Sequence, residues 1–244
     1  MPIDIASLDA PFAALEAYDW GADATPFKAI DAAVVAAHAD KPLRDALERR
    51  LAAVLGPGTS RAAREYACRA LMLIGTATSV PALAALLGDE DDSHMARFAL
   101  ERIGGPEAAT ALREALGAMQ GDMAIGMISS LAARSDAESV PALTRLLAGD
   151  PPVAAAAAAA LGAIRTPEAL AALSATDPFA AHGLGRAVVD ARLACAESLL
   201  AAGRVAEARD VYQSLATAAK GKPGVRAVEL AATRGLLACL EAPG

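Results

Sequence analysis

The residue types that most often bind metals or act as nucleophiles are few in this sequence, and they lie far apart. The histidines and cysteines are His38, His94, His182, Cys68, Cys195 and Cys239. No two histidines have the spacing of a helical metal motif such as H-E-x-x-H, and no C-x-x-C pair occurs. Each cysteine lies in an apolar helical run, which predicts a small buried hydrophobic side chain.

Two further patterns resemble functional motifs but lack essential members. The acidic run Asp89–Asp92 begins like a calcium-binding loop, yet His94 and Leu100 stand where such a loop needs glycine and glutamate. Gly183-x-Gly185 follows no predicted strand and lacks the third glycine of a dinucleotide-binding loop. The sequence therefore predicts no catalytic residue, no metal site and no cofactor.

An internal repeat organises the middle of the chain. The segment S-V-P-A-L begins at Ser79 and again at Ser139, and a second pair of similar segments begins at Ala99 and Ala160. The two members of each pair are about 60 residues apart. Each 60-residue block therefore holds two units of roughly 30 residues, the length typical of stacked helical repeats. Apolar residues recur at helical spacing in each unit, which predicts one-sided helices that must stack to bury their apolar stripe.

Two helices are predicted in each unit of this array. The first helices span 61–74, 93–103, 124–134 and 153–164, and the second helices span 81–87, 106–119, 141–147 and 167–174. Proline in the first turn follows Ser79, Ser139 or Thr166 in three of the second helices, which predicts that these residues are N-caps.

The predicted organisation has five parts. Residues 1–24 form a lead-in, in which Trp20 is expected to cover the first helix pair. A degenerate helix pair follows over 25–60, then the regular array over 61–175, a loop over 176–187, and C-terminal helices over 188–244 that extend the array. Among these last helices, 188–202 and 205–219 resemble a single tetratricopeptide-like hairpin.

Composition and charge narrow the class of protein. The hydrophobic fraction is 55% but aromatic residues make up only 3%, and alanine, the best helix former, is abundant. The net charge is −7, with an excess of acidic residues over 70–185. Nucleic-acid binding needs a continuous basic footprint, so it is not expected.

The apolar runs are too short to span a membrane and no signal peptide precedes them, so a cytoplasmic protein is the default expectation.

The repeated segments, from A-C-R-A-L-M-L-I-G at Ala67 to A-L-G-A-I-R-T-P-E-A-L at Ala160, resemble HEAT repeats of the short type found in phycobilin-lyase-like proteins. S-H-M-A-R-F-A-L-E from Ser93 is similar to a segment of uncharacterised bacterial HEAT-repeat proteins. The resemblance implies an all-α fold, a right-handed α-α superhelix of the HEAT-like solenoid type. It also implies a non-enzymatic scaffold, although bilin lyases are among the minority of such proteins that act on a substrate.

Two arginines interrupt columns that are otherwise apolar when the units are aligned. Arg97 takes the place of Cys68, and Arg134 takes the place of Ile74. A buried guanidinium is costly unless it is paired, so we expect a buried stem whose head reaches a carboxylate or a helix-end carbonyl. Asp89–Asp92 and Asp136 are the candidate partners. The alternative is that both heads face a groove and bind an anionic ligand.

The function expected from these patterns is a scaffold that binds a protein or peptide partner on a shallow, alanine-rich concave face lined by the second helices. The candidate partner-binding residues are Arg97, Arg113, Glu114, Arg134, Thr144 and Arg145. A bilin-lyase-like activity and an assembly module of a larger protein remain as alternatives.

Overall fold

Alanine and leucine at helical spacing form helices throughout residues 3–242, the part of the chain that the computed structural model describes. This part contains fourteen α-helices, two short 3-10 helices and no β-strand. The expected all-α class is confirmed. Contacts divide the chain into two units, with the boundary after Arg134.

The first unit contains eight of the α-helices of residues 3–242. They are α1 (Asp9–Glu16), α2 (Phe27–Ala36), α3 (Lys41–Val54), α4 (Arg61–Ile74), α5 (Val80–Ala84), α6 (Ser93–Arg102), α7 (Pro106–Ala118) and α8 (Gly121–Ala133). Within this unit α4 packs on α6 and α6 on α8, while α5 packs on α7. First and second helices therefore form separate stacked layers, as expected for a helical repeat.

The second unit contains the remaining α-helices. They are α9 (Val140–Leu146), α10 (Pro151–Ile164), α11 (Pro167–Ala175), α12 (Leu184–Ala201), α13 (Val205–Ala219) and α14 (Arg226–Glu241). The helix α12 packs on α10, and α13 packs on both α12 and α14. The predicted C-terminal hairpin is present as α12 and α13, joined through Gly203, whose φ of 75° is a conformation that glycine adopts without strain.

The leucines that define the repeat form the core of each unit. Leu71, Leu100, Leu131 and Leu161 are all completely buried, and so are Leu83 and Leu143 of the second helices. A helix pair leaves such a stripe exposed when it stands alone, so burial of apolar surface in each unit depends on stacking.

Two second helices are shorter than the sequence predicts. The helix expected over 81–87 ends as α5 at Ala84, and the one expected over 141–147 ends as α9 at Leu146. Beyond these points the chain turns more tightly. The backbone N–H groups of Leu87 and Leu147 donate to the carbonyls of Ala84 and Thr144, which lie three residues earlier rather than the four of an α-helix.

All three predicted residues stand at the N-cap positions of their helices, but one of them makes the expected side-chain bond. The hydroxyl of Thr166 accepts a bond from the backbone N–H of Ala169 and caps α11. The hydroxyls of Ser79 and Ser139 make no cap bond and donate to the preceding carbonyls of Thr76 and Asp136 instead.

A buried carboxylate binds two backbone N–H groups of the turn that precedes α5. Glu48 of α3 is 1% exposed, and its Oε1 accepts bonds from the backbone N–H groups of Thr76 at 2.6 Å and Ser79 at 3.1 Å. The Thr76 hydroxyl donates to Oε2 at 2.9 Å. One side chain of α3 therefore fixes the turn between α4 and α5.

A segment expected to be a loop over 176–187 is partly helical. The helix α12 begins at Leu184, directly after His182 and Gly183, which have φ of 55° and 85°. Both residues adopt the left-handed backbone conformation, and α12 begins after them, earlier than the sequence predicts. The domain boundaries proposed from the sequence remain predictions.

No helix within residues 3–242 combines the length and the apolar character that crossing a bilayer requires.

We expect Glu48→Ala to lower the free energy of unfolding by about 2 kcal/mol, because it leaves the backbone N–H of Thr76 without its acceptor and removes one of the two acceptors of the Ser79 N–H. Chemical denaturation monitored by circular dichroism measures this change. Glu16→Ala, at an exposed position of α1, is the matched control and should change stability by less than about 0.5 kcal/mol. Equal stability of the two variants would contradict the role of Glu48.

A second prediction concerns the contact of α10 with α12. A Cβ atom at Gly162 would lie 2.5 Å from the Cβ of Ala191, whereas one at Gly117 of α7 would meet nothing within 4 Å. Gly162→Ala should therefore destabilise the protein by about 1–3 kcal/mol through overpacking. Gly117→Ala should be neutral or stabilise it by up to about 1 kcal/mol, the ordinary helix-propensity gain. Thermal melts of both variants test the contrast, and a stabilised Gly162→Ala protein would refute it.

Candidate interaction surface

The two arginines in apolar columns bind groups of the protein itself. Arg134 directly follows α8, and its guanidinium donates to the carbonyls of Ile103 at 2.6 Å and Gly105 at 2.8 Å, and also to that of Leu100. These carbonyls lie at and just beyond the end of α6, where backbone acceptors lack helical partners. The expected bond to helix-end carbonyls is therefore confirmed for Arg134.

Arg97 of α6 reaches across to α8. Its Nη1 donates to the carbonyl of Gly126 at 2.9 Å and to the hydroxyl of Ser130 at 3.2 Å, and Ser130 donates in turn to Glu101 at 2.7 Å. Gly126 leaves room for this contact, because a Cβ there would lie 2.8 Å from the guanidinium carbon. Burial lowers the pKa of Arg97 from its usual value, and the nearby Glu101 opposes the shift.

The acidic run does not bind Arg97 as expected. Asp91 pairs with Arg61 at 2.9 Å and Asp92 pairs with Arg64, so this run joins α6 to α4. Asp89 accepts bonds from the backbone N–H groups of Asp91 and Asp92 and so closes its own turn.

The remaining candidates lie on second helices of different units. Glu114 is exposed on α7, and the half-buried Arg113 donates to Thr110 one turn earlier. Thr144 and Arg145 are exposed on α9 in the second unit. Their role in partner binding stays a prediction.

The thiols and the metal-binding residue types form no reactive centre in the described part of the chain. All three cysteines are buried, and burial raises the pKa of Cys68 to about 12 and raises that of Cys195. Thiols of this kind are poor nucleophiles at neutral pH. Within residues 3–242, no three side chains of His, Cys, Asp or Glu are grouped so that they could hold a metal ion.

The sequence did not indicate the most distinctive surface of the first unit, which lies over α2, α4 and α6. Two adjoining pockets of about 220 and 530 Å³ share Glu65 and Arg69 of α4. We call their combined lining the aromatic surface. Its other members are Tyr18, Trp20, Ala24, Phe27, Asp31, Arg61, Ala62, Tyr66, Met72, Asp91, His94, Met95 and Phe98.

The aromatic surface concentrates a scarce residue type. The chain has eight aromatic side chains, and five of them line these two pockets. Trp20 is 63% exposed and Phe98 is 39% exposed, so the expectation that Trp20 covers the first helix pair is wrong. The His94 ring packs against the Phe98 ring in a tilted arrangement with centroids 4.3 Å apart, and its Nδ1 lies 3.5 Å from Arg97. Arg97 therefore borders this surface although its main bonds are internal.

The second unit exposes apolar side chains of a different kind. Leu230, Leu237 and Leu240 of α14 are each more than half exposed and recur at helical spacing. A separate cavity of about 320 Å³ lies between α11 and α12, with Arg165 and Arg204 among its lining residues.

Comparison with known families identifies the repeat. A family model described as HEAT repeats matches residues 47–126, from within α3 to within α8. This stretch consists of HEAT repeats. No curated protein matches the chain. The HEAT repeats contain most of the aromatic surface, whereas Tyr18, Trp20, Phe27 and Asp31 precede them. The resemblance to the phycobilin-lyase type remains a prediction.

The contacts of Arg134 predict a structural role at the end of α6. Arg134→Met should lower the free energy of unfolding by about 2 kcal/mol, because carbonyls at the end of α6 lose a charged donor. Arg102→Met, at an exposed position of α6, should have little effect. Denaturation curves of the two variants provide the measurement, and an Arg134→Met protein as stable as the wild type would contradict the assignment.

Proposed function

We propose that this chain is a non-catalytic helical-repeat scaffold that binds a protein partner through the aromatic surface of its first unit. The observation that carries the proposal is the concentration of aromatic, methionine and arginine side chains on that surface, of which Trp20, Phe98, Arg61 and Arg69 are exposed. Tryptophan, tyrosine and arginine are the residues that most often dominate the energy of protein interfaces. Methionine adapts its shape to a partner and is common on binding surfaces.

The electrostatics of the surface suit a protein partner. Arg61 pairs with Asp91, and Arg69 pairs with Glu65, so charges of both signs surround the apolar side chains. Interfaces commonly combine apolar side chains with polar and charged ones in this way. Leu73, 60% exposed on α4 four residues after Arg69, adds to the apolar area of the same helix.

The sequence places the partner elsewhere, on the face of the second helices that carries Arg113, Glu114, Thr144 and Arg145. That face offers mainly alanine and few side chains of the types that anchor interfaces. The aromatic surface is therefore the better-supported site, and the two locations make different predictions. A cytoplasmic location also remains a proposal. A partner other than nucleic acid is a proposal too, and the excess of acidic residues over 70–185 supports it.

Phe98→Ser should weaken capture of the partner from a cell extract by roughly 30-fold, the loss that a central hot spot of about 2 kcal/mol produces. Quantitative mass spectrometry of proteins retained by the immobilised wild type and variant measures the change. Leu237→Ser is the matched control, since it also removes a large exposed apolar side chain, but from the second unit. Loss of capture in Glu114→Ala or Arg145→Ala with full capture by Phe98→Ser would place the partner on the second helices instead.

A further inference from the structure

Four aromatic rings surround the smaller pocket of the aromatic surface, which has a volume of about 220 Å³. We call Tyr18, Trp20, Phe27 and Tyr66 the aromatic cage. The Tyr18 and Phe27 rings meet edge to face with centroids 4.9 Å apart, and the Phe27 and Tyr66 rings lie at the same distance in a tilted arrangement. Phe27 is buried, whereas Trp20 stands largely exposed at the edge of the pocket.

The segment that carries Tyr18 and Trp20 is irregular but fixed to the rest of the unit. The carbonyl of Tyr18 accepts a bond from the hydroxyl of Ser60, which also caps α4 by accepting from the N–H of Ala63 at 3.0 Å. The N–H of Trp20 donates to Asp19 at 2.8 Å, and Gly21 turns the chain with a φ of 89°. The bond from Ser60 fixes the backbone of this segment to the start of α4.

A carboxylate completes the pocket. Asp31 of α2 accepts a bond from the Tyr66 hydroxyl at 2.7 Å, and no cationic side chain of residues 3–242 forms an ion pair with it. Burial first, and then Asp31, raise the pKa of Tyr66 well above its usual range, so the hydroxyl stays protonated and remains a donor. The other charges of the pocket, Glu65 and Arg69, pair with each other. The lining therefore carries one ion pair and one further carboxylate, that of Asp31, which forms no ion pair within residues 3–242.

We propose that the aromatic cage and Asp31 bind an ammonium group, carried by a lysine side chain of the protein partner. The faces of aromatic rings attract cations, most strongly those of tryptophan, and cages of such rings are a recurring solution for binding ammonium groups. Asp31 adds direct attraction, and the pocket is large enough for an ammonium group with its neighbouring methylenes. Trp20 and Asp31 bind the ammonium group, while Ser60 is a positioning residue. The lysine belongs to the partner of the proposed function, so this inference rests on that function.

The test uses the one tryptophan of the chain as its reporter, since Trp20 lies in the cage. The full chain is titrated with the peptide acetyl-Gly-Gly-Lys-Gly-Gly-amide and, separately, with the same peptide carrying norleucine in place of lysine. The lysine peptide should change the Trp20 fluorescence with a saturable curve in the millimolar range, and the uncharged norleucine peptide should bind at least tenfold more weakly.

Variants separate the cage from a general charge effect. Asp31→Asn keeps the shape of the side chain and should weaken the lysine peptide about fivefold to tenfold, whereas Asp122→Asn removes an exposed negative charge on α8 and should leave the affinity unchanged. Thermal melts check that both variants are folded. Equal responses to the two peptides, no response to either, or equal affinities of the two variants would overturn the proposal.

The outcomes also distinguish this inference from the proposed function. If Phe98→Ser abolishes partner capture while the lysine peptide gives no signal, the scaffold function stands and the ammonium site is refuted. If the lysine peptide binds as expected while Phe98→Ser captures the partner normally, the ammonium site stands, and the part of the aromatic surface around Phe98 is refuted as the site of the partner.

Discussion

Backbone carbonyls at the end of α6 and backbone N–H groups of the turn between α4 and α5 bind charged side chains from other elements of the first unit. Arg134 donates to the first set and Glu48 accepts from the second. Buried backbone groups without partners are costly, so each of these turns requires its neighbour to be in place. The first unit is therefore held together by polar contacts between repeats as well as by the buried leucine stripe.

Sequence reasoning predicted the regular part of the fold well, because repetition itself reveals which positions face the core. The leucines at equivalent positions are buried, and the arginines that replace apolar residues donate from their Nη atoms to backbone carbonyls, although the Nε atom of each is buried without a partner. It failed in local detail where two bonding schemes compete. The hydroxyl of Ser79 could cap the helix that follows or bind the carbonyl that precedes it, and it binds the carbonyl. The N–H of Ser79 donates to the buried Glu48, which is far away in sequence.

The aromatic surface could not be predicted for a different physical reason. It forms where an irregular segment before the repeats lies against α2 and α4, through contacts between residues some forty positions apart, such as Ser60 with Tyr18. No periodic pattern marks such contacts. In the sequence these aromatic residues are dispersed, so each is interpreted as an isolated core or cap residue. The folded chain brings five of them into neighbouring pockets.

The contact of α10 with α12 shows what a core built from alanine implies. Along α10 the buried side chains are mostly alanines, and Gly162 lies directly against Ala191. Alanine has no rotamers, so ordering this layer removes no side-chain freedom from the folded chain. Such a layer cannot adjust to an added methyl group by rotating a side chain, as a leucine core can. The distance between the two backbones therefore limits which side chains this layer accepts. Substitution by larger residues, rather than loss of side-chain volume, is the change that destabilises it most readily.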